Sequence, residues 1–192
     1  MRMRFSDNWL GFFAKSDFQM SVGLAATTLR PEGPEDGSFL QELYASTRQE
    51  ELDAMGWTGA MREAFVRMQF NAQQRGYRAA FPRAQFAIIL WGDQPIGHII
   101  INRAQEEFRL VDIALLPPHR GRGIGTALVQ DLLREAAAAQ KPVRLSVLRG
   151  QRAFRLYQRL GFEITGQAGP RDQMEWRGRP LPQNDPNPCA PA

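Results

Sequence analysis

Between residues 120 and 126 the chain reads Arg120-Gly121-Arg122-Gly123-Ile124-Gly125-Thr126, glycines alternating with arginines, and the chemistry this pattern suits is anion binding. Glycine lets a ligand come close to the main chain. A strand before such a run and a helix after it aim bare N–H groups and the positive helix end at a phosphate. Two other glycine-loop chemistries are excluded. A P-loop needs Gly-Lys-Ser/Thr after its intervening residues, and no lysine is near. A dinucleotide fingerprint needs a third glycine where Thr126 stands and an Asp or Glu at the end of the next strand, which is absent. Charge points the same way: residues 109–159 hold ten basic side chains against Asp112, Asp131 and Glu135, a local +7, while the rest of the chain sums to −3. That asymmetry fits a nucleic acid or a phosphorylated cofactor.

The loop must be set between a strand and a helix, and the surrounding punctuation supplies both. Leu24–Arg30 reads as a strand, and Pro34 opens a helix with Phe39, Leu40, Leu43 and Tyr44 at helical spacing. After a link holding Gln49–Asp53 and Trp57, Thr58 caps a second helix whose expected core stripe is Met61, Phe65, Met68 and Ala72. Gln85–Trp91 and Ile96–Asn102 form a hairpin at Gly92-Asp93, and Phe108–Leu116 is a third apolar strand. A helix runs from Gly123 to about Gln140, with Ile124, Leu128, Leu132 and Ala136 in register. Strand Pro142–Val147 follows, then a helix carrying Ala153, Leu156, Tyr157 and Leu160 and stopped by Gly161, then strands Phe162–Thr165 and Gln173–Trp176. The order β-α-α-β-β-β-α-β-α-β-β describes an α/β (α+β) fold, a mixed and mostly antiparallel twisted sheet flanked by helices.

Composition bounds the alternatives. The 192 residues, 43% apolar and 23% charged, suffice for one sizeable core and are short for two domains. Mean hydropathy is −0.40, and no run approaches the roughly 18 apolar residues of a membrane-spanning helix, so no membrane role is expected. Cys189 is the only cysteine, and His98 and His119 are the only histidines, so neither a disulfide framework nor a zinc site is expected. Residues 1–22 lack a secretory apolar core and read as a flexible extension; residues 178–192, rich in Pro and Asn, read as a disordered tail. A single domain over 23–177, located in the cytoplasm, is the expectation.

The loop motif Arg120-x-x-Gly123-x-Gly125 resembles the acetyl-CoA signature of the GNAT superfamily of N-acetyltransferases. Val111-Asp112-Ile113-Ala114-Leu115-Leu116-Pro117 before it looks like that family's fourth strand, and Ala153-Phe154-Arg155-Leu156-Tyr157-Gln158-Arg159-Leu160-Gly161-Phe162 is similar to its closing helix. The resemblance covers roughly Leu24 to Trp176 and is weakest before Gln85. It implies transfer of an acetyl group from acetyl-CoA, as co-substrate and without a metal, to an amine by direct attack in a ternary complex. Main-chain groups near Ile113 and Leu115 would hold the pantetheine arm, and Arg120, Gly121, Arg122, Gly123, Ile124, Gly125 and Thr126 would cradle the pyrophosphate. Gln151 stands where many relatives have an asparagine that contacts the arm, and Arg109 stands where some carry a glutamate base.

Acyl transfer to an amine needs a base, a donor for the oxyanion and an acid for the departing thiolate. The resemblance places Tyr157 as the acid and main-chain N–H groups of Ile113–Leu115 as oxyanion donors. For the base, Asp112, Glu51, Glu107 and His98 are available. Asp112 is the favoured one, and strand alternation puts it on the face of Leu110 and Ala114. The acceptor is a small-molecule or protein amine, with no nucleic acid partner, and the protein is a monomer or homodimer. The alternative is a CoA-binding or protein-interaction module without turnover.

Overall fold

The computed structural model describes residues 27–178. The expected extension over 1–22, the first residues of the predicted opening strand (24–26) and the tail beyond Gly178 lie outside the described residues. β1 (Thr27–Pro31) leads through a 3-10 turn (Pro34–Asp36) into α1 (Gly37–Thr47), α2 (Gln49–Ala54) and α3 (Gly59–Ala80). The hairpin of β2 (Gln85–Trp91) and β3 (Gln94–Arg103) follows, then β4 (Phe108–Leu115), a second 3-10 turn (Pro117–His119) and α4 (Ile124–Ala138). β5 (Val143–Leu148), α5 (Arg152–Arg159), β6 (Glu163–Ala168) and β7 (Arg171–Trp176) complete the described chain. The link over Gln49–Asp53, expected as loop, is the short helix α2, whose Leu52 is buried; burying that one side chain against α1 and α3 is what orders it.

The strands form one sheet in the order β1-β2-β3-β4-β5-β7-β6. Every pairing is antiparallel except β4 with β5, whose connection through α4 is the crossover that a parallel pair needs. The larger core lies between the sheet and α4 and α5, with Ile99, Leu110, Leu128, Leu132 and Tyr157 among its members. A smaller core on the other face joins α1, α2 and α3 through Leu43, Leu52, Val66, Phe70 and Ile88.

The stripe expected on α3 is displaced, and of its four members only Phe65 packs against the smaller core, half-buried. Val66 and Phe70 are its buried residues, while Met61 is 63% and Met68 56% exposed and Ala72 is exposed. The apolar side chains of this helix occupy two adjoining faces, and a shift of one position turns a helix by about 100°. The face that carries aromatic rings wins, since Phe70 meets Tyr44 of α1 edge-on with centroids 6.0 Å apart.

Two irregularities shape the middle of the sheet. Ile100 pairs with Asp112 but Ile101 with Leu110, so Val111 is a bulge residue that interrupts alternation in β4. Nearby, Gly97 faces Leu115, and a Cβ on it would lie 2.3 Å from the Ala114 carbonyl oxygen, so glycine alone permits this approach of β3 to β4. Finally, β4 and β5 pair only over Phe108–Leu110 and Val143–Leu145, although β4 runs on to Leu115 and β5 to Leu148. The sheet is therefore split from that point on.

Candidate active site

The glycine loop closes the split end of β4. Pro117 and Pro118 start the 3-10 turn, which ends at His119, and the loop beyond it bends through Gly121 (φ 73°) and Gly123 (φ 82°). Gly123 is the N-cap of α4 in left-handed conformation, a backbone only glycine adopts without strain. The first amide bond of α4 runs from Ala127 N to Gly123 O, 2.9 Å; the N–H groups ahead of it, from Ile124, Gly125 and Thr126, belong to the open first turn. Arg122 is exposed beside them. Arg120 behaves differently from its expected role. Its Nε donates to Leu115 O at 2.7 Å and its Nη2 to Ser46 O and Oγ at 3.2 and 3.0 Å, and burial lowers its pKa. Its guanidinium clamps the end of β4 to the end of α1, and that clamp also occupies the Leu115 carbonyl.

The split between β4 and β5 opens a cleft of about 190 Å³. Ile113 and Ala114 of β4, Leu148 of β5 and Gln151 line one side, and Tyr44 of α1 and Tyr77 of α3 line the other. Gln151 is the N-cap of α5 and makes no capping bond with its side chain. Asp112 also lines the cleft, its side chain 28% exposed. The bulge at Val111 reverses the expected face: Leu110 points into the larger core, and Asp112 joins Ala114 and His98 on the side of α1 and α3.

Two side chains meet the Oδ2 of Asp112. Tyr77 donates its hydroxyl at 3.3 Å, and His98 Nε2 lies 3.2 Å away. The tautomer that gives Asp112 a second donor carries its hydrogen on Nε2, which leaves the buried Nδ1 without a partner among the described residues. Burial, and then the charge of Asp112, hold the Tyr77 phenol above the ordinary range, so it stays protonated and donates. Tyr157 is not in the cleft lining. It is 6% exposed in the larger core, edge-on to Phe162 with centroids 5.6 Å apart. Its phenol is pushed up to about 12 by burial and then by the charge of Asp112, against the pull of Arg171.

Of the four candidate bases, the structure brings Asp112, His98 and Glu51 to one cleft. Glu51 is paired with Arg48 at 2.8 Å. Glu107 lies before β4, bound to Arg144 and Arg109. Tyr77, Arg48 and Arg171 also line the cleft and escaped the sequence reading. The signal for Tyr77 was its place seven residues after Phe70 on the true buried face of α3. Among the described residues no cluster of three or more His, Cys, Asp or Glu is arranged to hold a metal, and no helix is long and apolar enough to cross a membrane.

Comparison with known proteins bears on this geometry. The family model described as the acetyltransferase (GNAT) family matches residues 41–162. Among solved structures, the chain is similar to the PaiA N-acetyltransferase of Thermoplasma acidophilum in complex with coenzyme A, at 19% identity and TM-score 0.59, covering 79% of this chain and 99% of that one. It is similar to PH1933 of Pyrococcus horikoshii OT3 at 19% identity and TM-score 0.60, covering 79% and 98%. A third likeness is to a GNAT family acetyltransferase of Elizabethkingia anophelis with acetyl-CoA bound, at 15% identity and TM-score 0.50, covering 79% and 98%. At these identities the solved structures share the fold.

Proposed function

Because the chain belongs to the GNAT acetyltransferase family, we propose that it transfers an acetyl group from acetyl-CoA to an amine by direct attack within a ternary complex, in the cytoplasm. The observation that carries this reading is a convergence: the unpaired edge of β4 and the carboxylate of Asp112 line one cleft, and the same strand runs on from it into the glycine loop that opens α4. These residues fit a CoA arm. The open strand edge offers main-chain donors and acceptors, the first turn of α4 and Arg122 face an anion, and the amide of Gln151 stands at the mouth of the split.

Acetyl-CoA, when bound, supplies the acyl group as a thioester whose thiolate leaves. The chain's own residues do the rest. Asp112 takes the proton of the incoming ammonium, directly or through one water, while Tyr77 and His98 hold its carboxylate in place. Main-chain N–H groups of Ile113–Leu115 face the oxygen on which charge develops. Tyr157 lies outside the cleft lining, yet its phenol feels the charges of Asp112 and Arg171, which line it; the part proposed for it is a hydrogen bond to the departing sulfur through the split, since full transfer to a thiolate of pKa about 8.5 would run uphill.

A second reading, a CoA-binding or protein-interaction module without turnover, rests on Gln151 and Arg109 at positions where active relatives carry other residues. Thiol release from acetyl-CoA over a panel of amines decides between them. Amine-dependent release is expected, falling by about 10²–10⁴ in Asp112→Asn with CoA affinity retained. CoA binding without release for any amine would favour the second reading.

A further inference from the structure

Asp112 is not the only charge in the cleft. Arg171, the first residue of β7, lines it too, and its guanidinium is braced along β5: Nε donates to Ser146 Oγ at 3.0 Å and Nη2 to Ser146 O at 2.7 Å. The same Ser146 hydroxyl also takes Nε2 of Gln173 at 3.0 Å. This bracing fixes the position of the charge and leaves it uncompensated, for Arg171 has no carboxylate partner among the described residues. The contrast with its neighbours is clear. Arg149 is paired with Asp172, and Arg144 with Glu175 and Glu107. Arg48, the other arginine of the lining, is neutralised by Glu51 and lies over the Tyr44 ring.

The lining therefore holds one arginine paired with a carboxylate and one that is not, Arg171, together with the carboxylate of Asp112, whose partners are Tyr77 and His98 and not an arginine. They stand within reach of the same groups: the charge of Asp112 raises the phenols of Tyr77 and Tyr157, and that of Arg171 lowers both. A guanidinium held in place without an anion is a preformed carboxylate site.

Resting on the acetyl-transfer reading above, we propose that the acceptor is an α-amino acid or a small derivative of one, its amine directed to Asp112 and its carboxylate bound by Arg171. In the reaction the acceptor nitrogen forms the bond to the acetyl carbon as the carbon–sulfur bond breaks. One ammonium proton passes to Asp112, the second proton that nitrogen loses as the amide forms ends on the sulfur, so CoA leaves as the thiol, and the acceptor carboxylate is unchanged.

The test compares α-amino acids with their amides and with the matching amines that lack the carboxylate, using purified full-length protein, acetyl-CoA and thiol release. For each side chain the amino acid is expected to show a KM about 10- to 100-fold lower than its amide, the value of a charge-assisted bond, and linear diamines are expected to be poor acceptors. In Arg171→Gln the KM for the amino acid should rise to that of the amide, with kcat little changed; Arg171→Lys should recover part of the difference. The CoA-induced rise in Tm should be the same in all three proteins, which also shows that the variants fold. Equal KM for amino acids and amides in the wild type would overturn the acceptor assignment while leaving acetyl transfer intact. A loss of CoA affinity in Arg171→Gln with unchanged acceptor KM would assign the guanidinium to the co-substrate instead. No release with any amine, CoA still binding, would remove the acetyl-transfer reading and this inference with it.

Discussion

Tyr77 and Tyr157 both feel the charge of Asp112, and they differ in what their hydroxyls reach. The Tyr77 hydroxyl is bonded to the carboxylate itself, whereas Tyr157 sits in the larger core on the other side of the sheet. Replacing each by phenylalanine keeps the ring and removes one oxygen, so the two variants separate the roles. Tyr157→Phe should preserve Tm and CoA affinity and lower kcat by about 10- to 100-fold, the value of a hydrogen bond to the charge developing on sulfur. Tyr77→Phe removes one of two donors to Asp112 and should lower kcat by only about tenfold, the value of a hydrogen bond to a charged group. Steady-state kinetics with a saturating amine reads both; equal turnover in Tyr157→Phe would reduce that residue to packing.

The elements carry predictions of their own. Gly125 lies in the first turn of α4, and a Cβ built there meets nothing within 4 Å. Gly125→Glu therefore adds a better helix former with a carboxylate at the positive end of the helix, and the Tm without ligand should hold or rise by a few degrees. The same carboxylate repels phosphate, so the CoA-induced rise in Tm should vanish. A thermal melt with and without CoA checks both signs; a persisting shift would place the phosphates elsewhere.

Asp36 joins β1 to α1 in a comparable way. It is 3% exposed, and its carboxylate accepts from Arg30 at 2.7 and 2.6 Å and from Gly33 N at 2.8 Å. The bond to Arg30 holds its carboxyl below the usual carboxylate range. A carboxyl depressed in the folded state contributes fully above its unfolded value, about 3.9, and loses that contribution as pH falls through the folded value. Asp36→Asn should cost about 1–3 kcal/mol at pH 7, and urea midpoints for variant and wild type should converge as pH drops below about 4. A difference that stays constant with pH would show that packing, not charge, is what the substitution removes.

For the whole molecule, the basic segment is less positive in space than along the chain. Arg109 and Arg144 are bound to Glu107, Arg144 also to Glu175, and Arg149 to Asp172; these acidic partners lie outside residues 109–159. Arg134 is bound to Asp131 within them. The exposed remainder, Arg120 and Arg122 at the loop and Arg152, Arg155 and Arg159 on α5, is a small set of charges suited to a ligand with a few phosphates. Binding of duplex DNA should accordingly be weak, and its dependence on salt much shallower than that of a protein making about 6–10 phosphate contacts. Anisotropy of a labelled duplex across a salt series measures the slope, and a steep one that survives saturating CoA would restore nucleic acid as a partner.

What depends on neighbours along the chain was legible in the sequence. The order of strands and helices, the hairpin at Gly92-Asp93, the glycine loop between β4 and α4 and the closing helix follow from apolar period, turn residues and glycine spacing, and Asp112 and Gln151, singled out beside those motifs, both line the cleft. What depends on pairing between distant segments was not. One extra residue in β4, Val111, moved Asp112 to the opposite face of the sheet, because side chains alternate and a bulge inverts every position beyond it. The buried face of α3 was decided by which rings found partners on α1, so Tyr77 came to the cleft and Met61 and Met68 went to solvent. Arg171 reads in the sequence as one arginine among 22; only the split between β4 and β5, and the brace from Ser146, put its charge in the same cleft as Asp112. Such juxtapositions arise from strand register and from the packing of faces, which short-range spacing does not specify.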